Sequence, residues 1–235
     1  MLILHENMPE ESVAVAEALK GVYGIDSLIE SLILDGVFIP VPEFNAYQSS
    51  ELNVALALKK FREQNENRIG KAALILTPKD LYMGDDMGHL SRDDDWGFAY
   101  NYGDFSVLSS ARMKSEDGKP SDKLQVDKEL YLKRLAVMGV HEVAHDVVRA
   151  DHLQPAFWVN ETTGHKMRLG PHCTDNTCAL YEVVDVKAPK PEQGHLRLGT
   201  EKKFDAGLDD VLQRLRPDYL CNDCRSSIKI SASYK

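Results

Sequence analysis

Residues 127–148 constrain the fold most, because they predict a helix that is apolar on nearly every side. Apolar residues recur there at helical spacing around most of the circumference, and a helix of this kind lies inside a protein. The same segment contains the sequence HEVAH at residues 141–145. The chain is therefore expected to build its core around a buried helix that carries two imidazoles and a carboxylate.

The two histidines of this helix have the spacing of metal ligands. His141 and His145 are four residues apart, so both side chains lie on one face and can bind a single ion. Glu142 projects about 100° away, where it can take a proton from water that zinc has activated. The alternative is a pair of core histidines beside a carboxylate. Three polar side chains on an apolar helix need partners against the cost of desolvation, however, and a metal supplies them.

All four cysteines fall into two close pairs, Cys173 with Cys178 and Cys221 with Cys224. Two short pairs separated by a long gap are typical of a structural zinc site made of four thiolates. The alternative is two local disulfides. The first residues are apolar for only three positions after Met1 and then become acidic, so they show no secretion signal. Thiols stay reduced in the cytosol, and we therefore expect zinc and a cytoplasmic location.

His172 stands directly before Cys173. Adjacent side chains of an extended segment point in opposite directions. One of the two can face the histidine site while the other faces the cysteine site. The sequence thus predicts two zinc ions per chain, one catalytic and one structural.

The remaining pattern predicts an α+β fold with a mixed sheet in a single domain. Besides the buried helix, we expect helices near residues 11–22, 49–67 and 205–215, strands near 36–39, 72–77, 96–102 and 105–113, and a loop at 188–199. The net charge of the 235-residue chain is −9, which disfavours binding to nucleic acids or membrane surfaces because both are polyanionic. Nothing in the sequence indicates an oligomeric state.

The combination of HExxH, His-Cys-x4-Cys and Cys-x2-Cys resembles the archaemetzincins, zinc metallopeptidases of the metzincin clan. Residues 74–82 are similar to the family's strand that ends in an Asp-Leu-Tyr step. Residues 107–113 resemble its edge strand before the active-site helix. The resemblance implies a metzincin-like mixed sheet with an active-site helix and a cysteine-zinc C-terminal portion.

The resemblance also implies a role for each residue of the pattern. Peptide substrates would be hydrolysed by water activated on zinc, with Glu142 as the general base. The edge strand would align an extended peptide by β-augmentation. The implied residues are His141, His145 and His172 for the catalytic zinc, Cys173, Cys178, Cys221 and Cys224 for the structural zinc, and Val107, Leu108, Ser109 and Ser110 for the edge strand.

This chain departs from the family pattern HExxHxxGxxHC in the spacing of the third histidine. Twenty-six residues, 146–171, separate His145 from His172. Closing a longer loop costs little, so His172 is the first candidate for the third ligand. Asp151, His152 and Glu161 are the alternatives. The domain then divides into residues 1–148 with the sheet and active-site helix, an insertion at 149–171, and a zinc-stapled portion at 172–235.

Three further departures concern activity more than fold. Val148 replaces the family's glycine, Leu180 replaces its methionine, and the stretch between Cys178 and Cys221 is longer than usual. They favour an alternative function, a catalytically silent zinc-binding protein of the same fold that binds a peptide or protein partner. The intact Glu142 favours the peptidase. The insertion is expected to form a lid or wall that restricts the cleft to small peptides.

Overall fold

The computed structural model describes the chain in segments and places twelve strands and five helices in them. The described residues are 1–32, 36–42, 46–49, 51–64, 72–82, 99–101, 105–161, 164, 166–183, 185–188, 190, 192–203, 207–230 and 234. The strands are β1 (Leu2–His5), β2 (Leu28–Ser31), β3 (Phe38–Val41), β4 (Ala46–Ser49), β5 (Ala73–Thr77), β6 (Leu81–Tyr82), β7 (Ala99–Asn101), β8 (Phe105–Ser109), β9 (Gln154–Asn160), β10 (Lys166–His172), β11 (Gly194–Leu198) and β12 (Glu201–Lys203). The helices are α1 (Pro9–Tyr23), α2 (Glu51–Gln64), α3 (Lys128–Val147), α4 (Leu208–Arg214) and α5 (Asn222–Ser226).

A five-stranded sheet with the order β2-β1-β5-β8-β7 forms the centre of the molecule. Strands β2, β1, β5 and β8 run parallel, and β7 pairs antiparallel with β8. Strand β1, which the sequence analysis did not predict, is buried along all four residues. Its apolar run therefore has the composition of a strand in a parallel sheet that is covered on both faces.

The expectation that residues 107–110 form an edge strand is wrong. Strand β8 has β5 on one side and β7 on the other, and Val107, Leu108, Ser109 and Ser110 are fully buried. Among the described strands, β7 is the outer strand on this side of the sheet, and β2 is the outer strand on the other side. The residues expected to bind substrate therefore lie one strand inside the surface that an extended peptide can reach.

Helix α3 packs against α1 beneath the central sheet, and the predicted buried helix is confirmed. A Cβ atom at Gly139 of α3 would lie 2.6 Å from Cγ1 of Val15, so glycine permits the close approach of the two helices. The fully buried Arg134 donates hydrogen bonds from Nη1 to the carbonyl oxygens of Met113 and Ser115, at 2.7 and 2.8 Å. Its Nε and Nη2 pair with both carboxylate oxygens of Asp209, which ties α4 to α3.

A second sheet, with the order β10-β9-β11-β12, is antiparallel throughout. Most of the segment 149–171 forms its β9–β10 hairpin, and the predicted loop at 188–199 contains strand β11. The insertion at 149–171 and the lengthened stretch between Cys178 and Cys221 thus pair with each other through β9 and β11. Gly194 is needed at their contact, because a Cβ atom there would lie 2.3 Å from the ring of Trp158.

A third sheet, β3-β4-β6, lies apart from the histidine helix. It packs with α2 around a separate apolar cluster that includes Phe38, Val54 and Leu81. The strand predicted near residues 96–102 is found as β7 at Ala99–Asn101, and its remaining residues lie outside the described part of the chain. None of the described helices is long and apolar enough to cross a bilayer.

Candidate metal centre

The two histidines of helix α3 stand side by side at its C-terminal end. Their Nε2 atoms are 3.2 Å apart, and His141 is 2% exposed. Because Nδ1 of His141 lies 2.8 Å from the carbonyl oxygen of Ala179, this nitrogen carries the proton and donates it to the carbonyl. The Nε2 atom of His141 is therefore left with a free lone pair.

Strand β10 brings His172 to the same place at its last residue. Its Nε2 atom lies 3.3 Å from Nε2 of His141, and its Nδ1 atom faces the carbonyl oxygen of Gly170 at 3.3 Å. One nitrogen from each of His141, His145 and His172 lies within 4.8 Å of the other two. The structure thus brings together the three histidines that the sequence analysis placed first.

The three alternatives for a third ligand lie elsewhere. The carboxylate of Glu161 binds His195 and Lys202, Asp151 belongs to the wall of a nearby cavity, and His152 joins the cysteines. Each is therefore outside the histidine cluster. The hairpin between α3 and His172 returns the chain to the helix, as the small cost of a long loop allows.

The histidine cluster has the donor chemistry of a zinc site. Burial, followed by the neighbouring His172, lowers the pKa of His141 to about 4. Burial also lowers the pKa of His145. The imidazoles of His141 and His145 are consequently neutral near pH 7, which is the form that binds metal. Their converging lone pairs repel one another unless a cation lies between them, and zinc commonly binds three imidazoles.

Two buried carboxylates flank the histidine cluster. Glu142 is 4% exposed, and burial, together with the charges of Glu182 and Asp146, raises its pKa well above the usual range. Glu182 is 7% exposed, and its Oε2 atom contacts Nε2 of His172. Burial favours a higher pKa for Glu182, yet the attraction of His172 and His141 outweighs it and lowers the pKa.

The sequence analysis missed Glu182. It lies in the run Ala179-Leu180-Tyr181-Glu182-Val183 and is the one charged residue there. A charged side chain in an apolar run needs a buried partner, and that pattern was the signal available in the sequence.

The cysteines form a second cluster. His172 belongs to the histidine cluster, and the next residue, Cys173, belongs to this one. Sγ atoms of Cys173, Cys221 and Cys224 and a ring nitrogen of His152 all lie within 4.8 Å of one another. All four cysteines are free thiols and buried. Cys178 adjoins this group, and hydrogen bonds with the thiols of Cys173 and Cys224 lower the pKa of its own thiol.

A cavity of about 490 Å³ opens beside His145, and we call it the His145 cavity. Leu180 and Pro171 form part of its wall, together with Val148 and the residues that follow α3. The start of the segment 149–171 therefore borders the histidine cluster. Strand β7 lies on another side, where Nδ2 of Asn101 donates a hydrogen bond to the carbonyl oxygen of Glu142 at 3.1 Å.

Known structures share this arrangement of strands and helices, although no protein-family model and no curated protein matches the sequence. A zinc-dependent peptidase from Methanocorpusculum labreanum superposes with a TM-score of 0.58 and 20% identity, over 96% of this chain and 98% of that chain. An archaemetzincin from Archaeoglobus fulgidus, crystallised with malonate, gives a TM-score of 0.52 and 17% identity, over 97% of this chain and 100% of that chain. The chain has the fold of the archaemetzincins. Both donor clusters described above lie within this archaemetzincin fold, and the predicted fold class is confirmed.

Proposed function

We propose that the protein is a zinc-dependent peptidase. The observation that carries this proposal is the convergence of three imidazole nitrogens, from His141, His145 and His172, beside the buried carboxylate Glu142 on the same helix. The likeness to a structure of a zinc-dependent peptidase supports it. Three protein ligands leave one position of a tetrahedral ion for reaction, which distinguishes a catalytic zinc from a structural one.

Glu142 is the general base in this proposal. Zinc supplies a Lewis acid that polarises a peptide carbonyl and makes water more acidic. The carboxylate of Glu142 takes a proton from the attacking water and delivers it to the leaving amine. Its raised pKa favours a group that holds the proton between the two transfers. The buried surroundings keep bulk water away from this transfer.

Backbone carbonyls orient the ligands. The carbonyl oxygen of Ala179 accepts the Nδ1 proton of His141, and Nδ1 of His172 faces the carbonyl oxygen of Gly170 at 3.3 Å. Contacts of this kind fix the direction of each ring, so that Nε2 would face a bound ion. The segment that follows Cys178 therefore helps to shape the site although it contributes no histidine.

Two surfaces are proposed to hold the substrate. Strand β7 has an unpaired side among the described strands, and an extended peptide can add to it by β-augmentation. The His145 cavity is large enough for one side chain of the peptide. Because residues 149–151, Leu153 and Pro171 border this cavity, we expect short peptides to be better substrates than folded proteins.

A second zinc ion is proposed at the cysteine cluster, where it would be structural. Soft thiolate donors suit zinc, and the cluster is buried. The sequence segments that it joins, around residues 173 and 221–224, are far apart in the chain. The ion would therefore hold the C-terminal portion against the rest of the domain.

Glu182 favours an alternative function, a catalytically silent zinc-binding protein. Its carboxylate contacts Nε2 of His172, the nitrogen that faces the cluster. If this carboxylate occupied the fourth position of the ion, little room would remain for water and substrate. The protein would then bind a peptide or protein partner without cleaving it.

Cleavage of a mixed library of short quenched fluorescent peptides separates the two functions. We expect the zinc-loaded protein to cleave some of them and the Glu142→Gln variant to be slower by about 10²–10⁴-fold, the usual contribution of a general base. The metal content should not change, because Glu142 is not a ligand.

The matched control is Glu129→Gln, an exposed carboxylate on the same helix, which should leave cleavage unchanged. Equal activity of the Glu142→Gln variant and the parent, or no cleavage by either at full zinc loading, would contradict the peptidase proposal. The second of these results would favour the silent protein.

A further inference from the structure

His152 lies at the cysteine cluster. Its Nε2 atom is 3.1 Å from Sγ of Cys173, 3.4 Å from Sγ of Cys224 and 3.8 Å from Sγ of Cys221. The sulfur atoms of Cys173 and Cys221 are 3.7 Å apart. One imidazole nitrogen and three sulfur atoms thus surround a common centre.

These separations agree with a tetrahedral zinc site. Bonds of about 2.3 Å to sulfur and about 2.0 Å to nitrogen, at tetrahedral angles, place two sulfur atoms about 3.8 Å apart and sulfur and nitrogen about 3.5 Å apart. The distance between Cys173 and Cys221 is 3.7 Å, and the three distances to His152 lie between 3.1 and 3.8 Å. These four distances are those of donors around one central ion.

Hydrogen bonding alone does not account for the position of His152. A ring nitrogen carries one proton or one lone pair, so it makes one well-directed hydrogen bond. Here one nitrogen faces three sulfur atoms at similar distances. The net charge also favours an imidazole as the fourth ligand. An ion of charge +2 with three thiolates and a neutral imidazole has a net charge of −1, whereas the same ion with four thiolates has a net charge of −2. The smaller net charge costs less to bury.

Cys178 has other partners. Its thiol accepts hydrogen bonds from the backbone N–H groups of Cys221 and Leu180 and contacts the thiols of Cys173 and Cys224. It is not a member of the mutually close set of donors. Cys178 therefore adjoins the cluster through Cys173 and Cys224, and the mutually close donors are three thiols and one imidazole.

We propose that His152 is the fourth ligand of the structural zinc, in a site made with Cys173, Cys221 and Cys224, and that Cys178 stands next to this site. The inference rests on the second zinc of the proposed function and changes its ligand set from four thiolates to three thiolates and one imidazole. It also implies that His152 holds the turn after helix α3 against the C-terminal portion.

X-ray absorption at the zinc edge tests the ligand set directly. The His145→Ala variant serves as the background because it removes a ligand of the histidine cluster, so that the remaining zinc reports on the cysteine cluster. We expect three sulfur scatterers and one nitrogen per zinc. Four sulfur scatterers would overturn the role of His152 and leave the structural zinc standing. A variant that binds no zinc would overturn the structural zinc as well.

Chelator competition in the same background supplies the second measurement. We expect His152→Ala to weaken zinc binding at least about tenfold more than Cys178→Ser does, because loss of a ligand exceeds the roughly 10–100-fold effect of losing a supporting contact. The absorption spectrum of the cobalt-substituted protein should change with His152→Ala and stay nearly the same with Cys178→Ser. The reverse order in either readout would overturn the inference.

Discussion

The histidine and cysteine clusters are separated by one peptide bond, between His172 and Cys173, and differ in their surroundings. The histidine cluster borders the His145 cavity and has two carboxylates beside it. The cysteines are all buried, at 5% exposure or less. His141 and His145 stand on a 20-residue helix, whereas Cys224 lies on the five-residue helix α5 and Cys221 directly precedes it.

Under the proposed function, this difference shows how one chain can use two similar ions in two ways. A long helix in the core positions ligands without help from a metal, so an ion there would be free to take part in chemistry. A five-residue helix is too short to be stable alone, so an ion beside it would stabilise the fold. The account therefore predicts that damage to one cluster lowers activity and damage to the other lowers stability.

The largest effect on stability is expected from Cys224→Ser. Loss of a structural zinc removes folding free energy, and a loss of about 3–5 kcal/mol lowers the unfolding temperature of a protein of this size by about 6–20 °C. His145→Ala, which also removes one ligand, should lower it by less than about 5 °C because helix α3 is held by the core. Calorimetry on both variants checks this. Equal decreases in the unfolding temperature of the two variants would contradict the expected difference between the cysteine and histidine clusters.

A smaller effect, about 1.5–3 kcal/mol without loss of metal, is expected from Asp209→Asn, because hydrogen bonds to charged groups contribute this much. Asp209 pairs with the buried Arg134, and removal of one partner leaves a buried charge uncompensated. Because the variant is expected to keep its metal, it measures the contribution of the Arg134–Asp209 pair to stability separately from the contribution of the zinc ion. Urea unfolding measures it, with the exposed Asp122→Asn as the control. A stable Asp209→Asn protein would contradict the expected role of this pair.

The same pair makes a pH prediction. Burial favours a higher pKa for Asp209, but hydrogen bonds from Arg134 and Lys187 outweigh it and lower the pKa. A carboxyl group with a lowered pKa stabilises the folded state above its unfolded value of about 3.9, and this contribution is lost as the pH falls through the folded value. The difference in stability between the parent and Asp209→Asn should therefore shrink below about pH 4. A constant difference would argue against the ion pair.

The smallest effect is expected from Leu180→Met. Leu180 is fully buried and lines the His145 cavity. Exchange between these two side chains conserves volume and costs less than about 1.5 kcal/mol. Cleavage rates should stay within a few-fold of the parent. A large gain in activity would show that the leucine impairs the histidine site, and the silent alternative would gain support.

Local patterns in the sequence were sufficient to predict the features that depend on a single segment. Helix α3 was predictable because its apolar residues follow helical spacing, and the approach of His172 was predictable from the type of side chain and its neighbour Cys173. Strand β1 was missed because four residues at the start of a chain give too short a pattern, although its partners β2 and β5 bury it completely.

Features that depend on pairing between distant segments were not predictable. Whether β8 or β7 is the edge depends on which strands pair, not on the composition of residues 107–110. The hairpin β9–β10 and strand β11 each look irregular alone and become a sheet only together. His152 was weighed as a ligand of the histidine site, and only the path of the chain after α3 brings it to the thiols.

Metal content per chain, measured by elemental mass spectrometry on the parent and on His172→Ala and Cys173→Ser, tests the central claim most directly. These adjacent residues face different clusters, so the account predicts two zinc ions in the parent and one in each variant, with peptide cleavage lost in His172→Ala. A single zinc in the parent that His172→Ala does not remove would contradict the account, because the histidine cluster would then hold no ion.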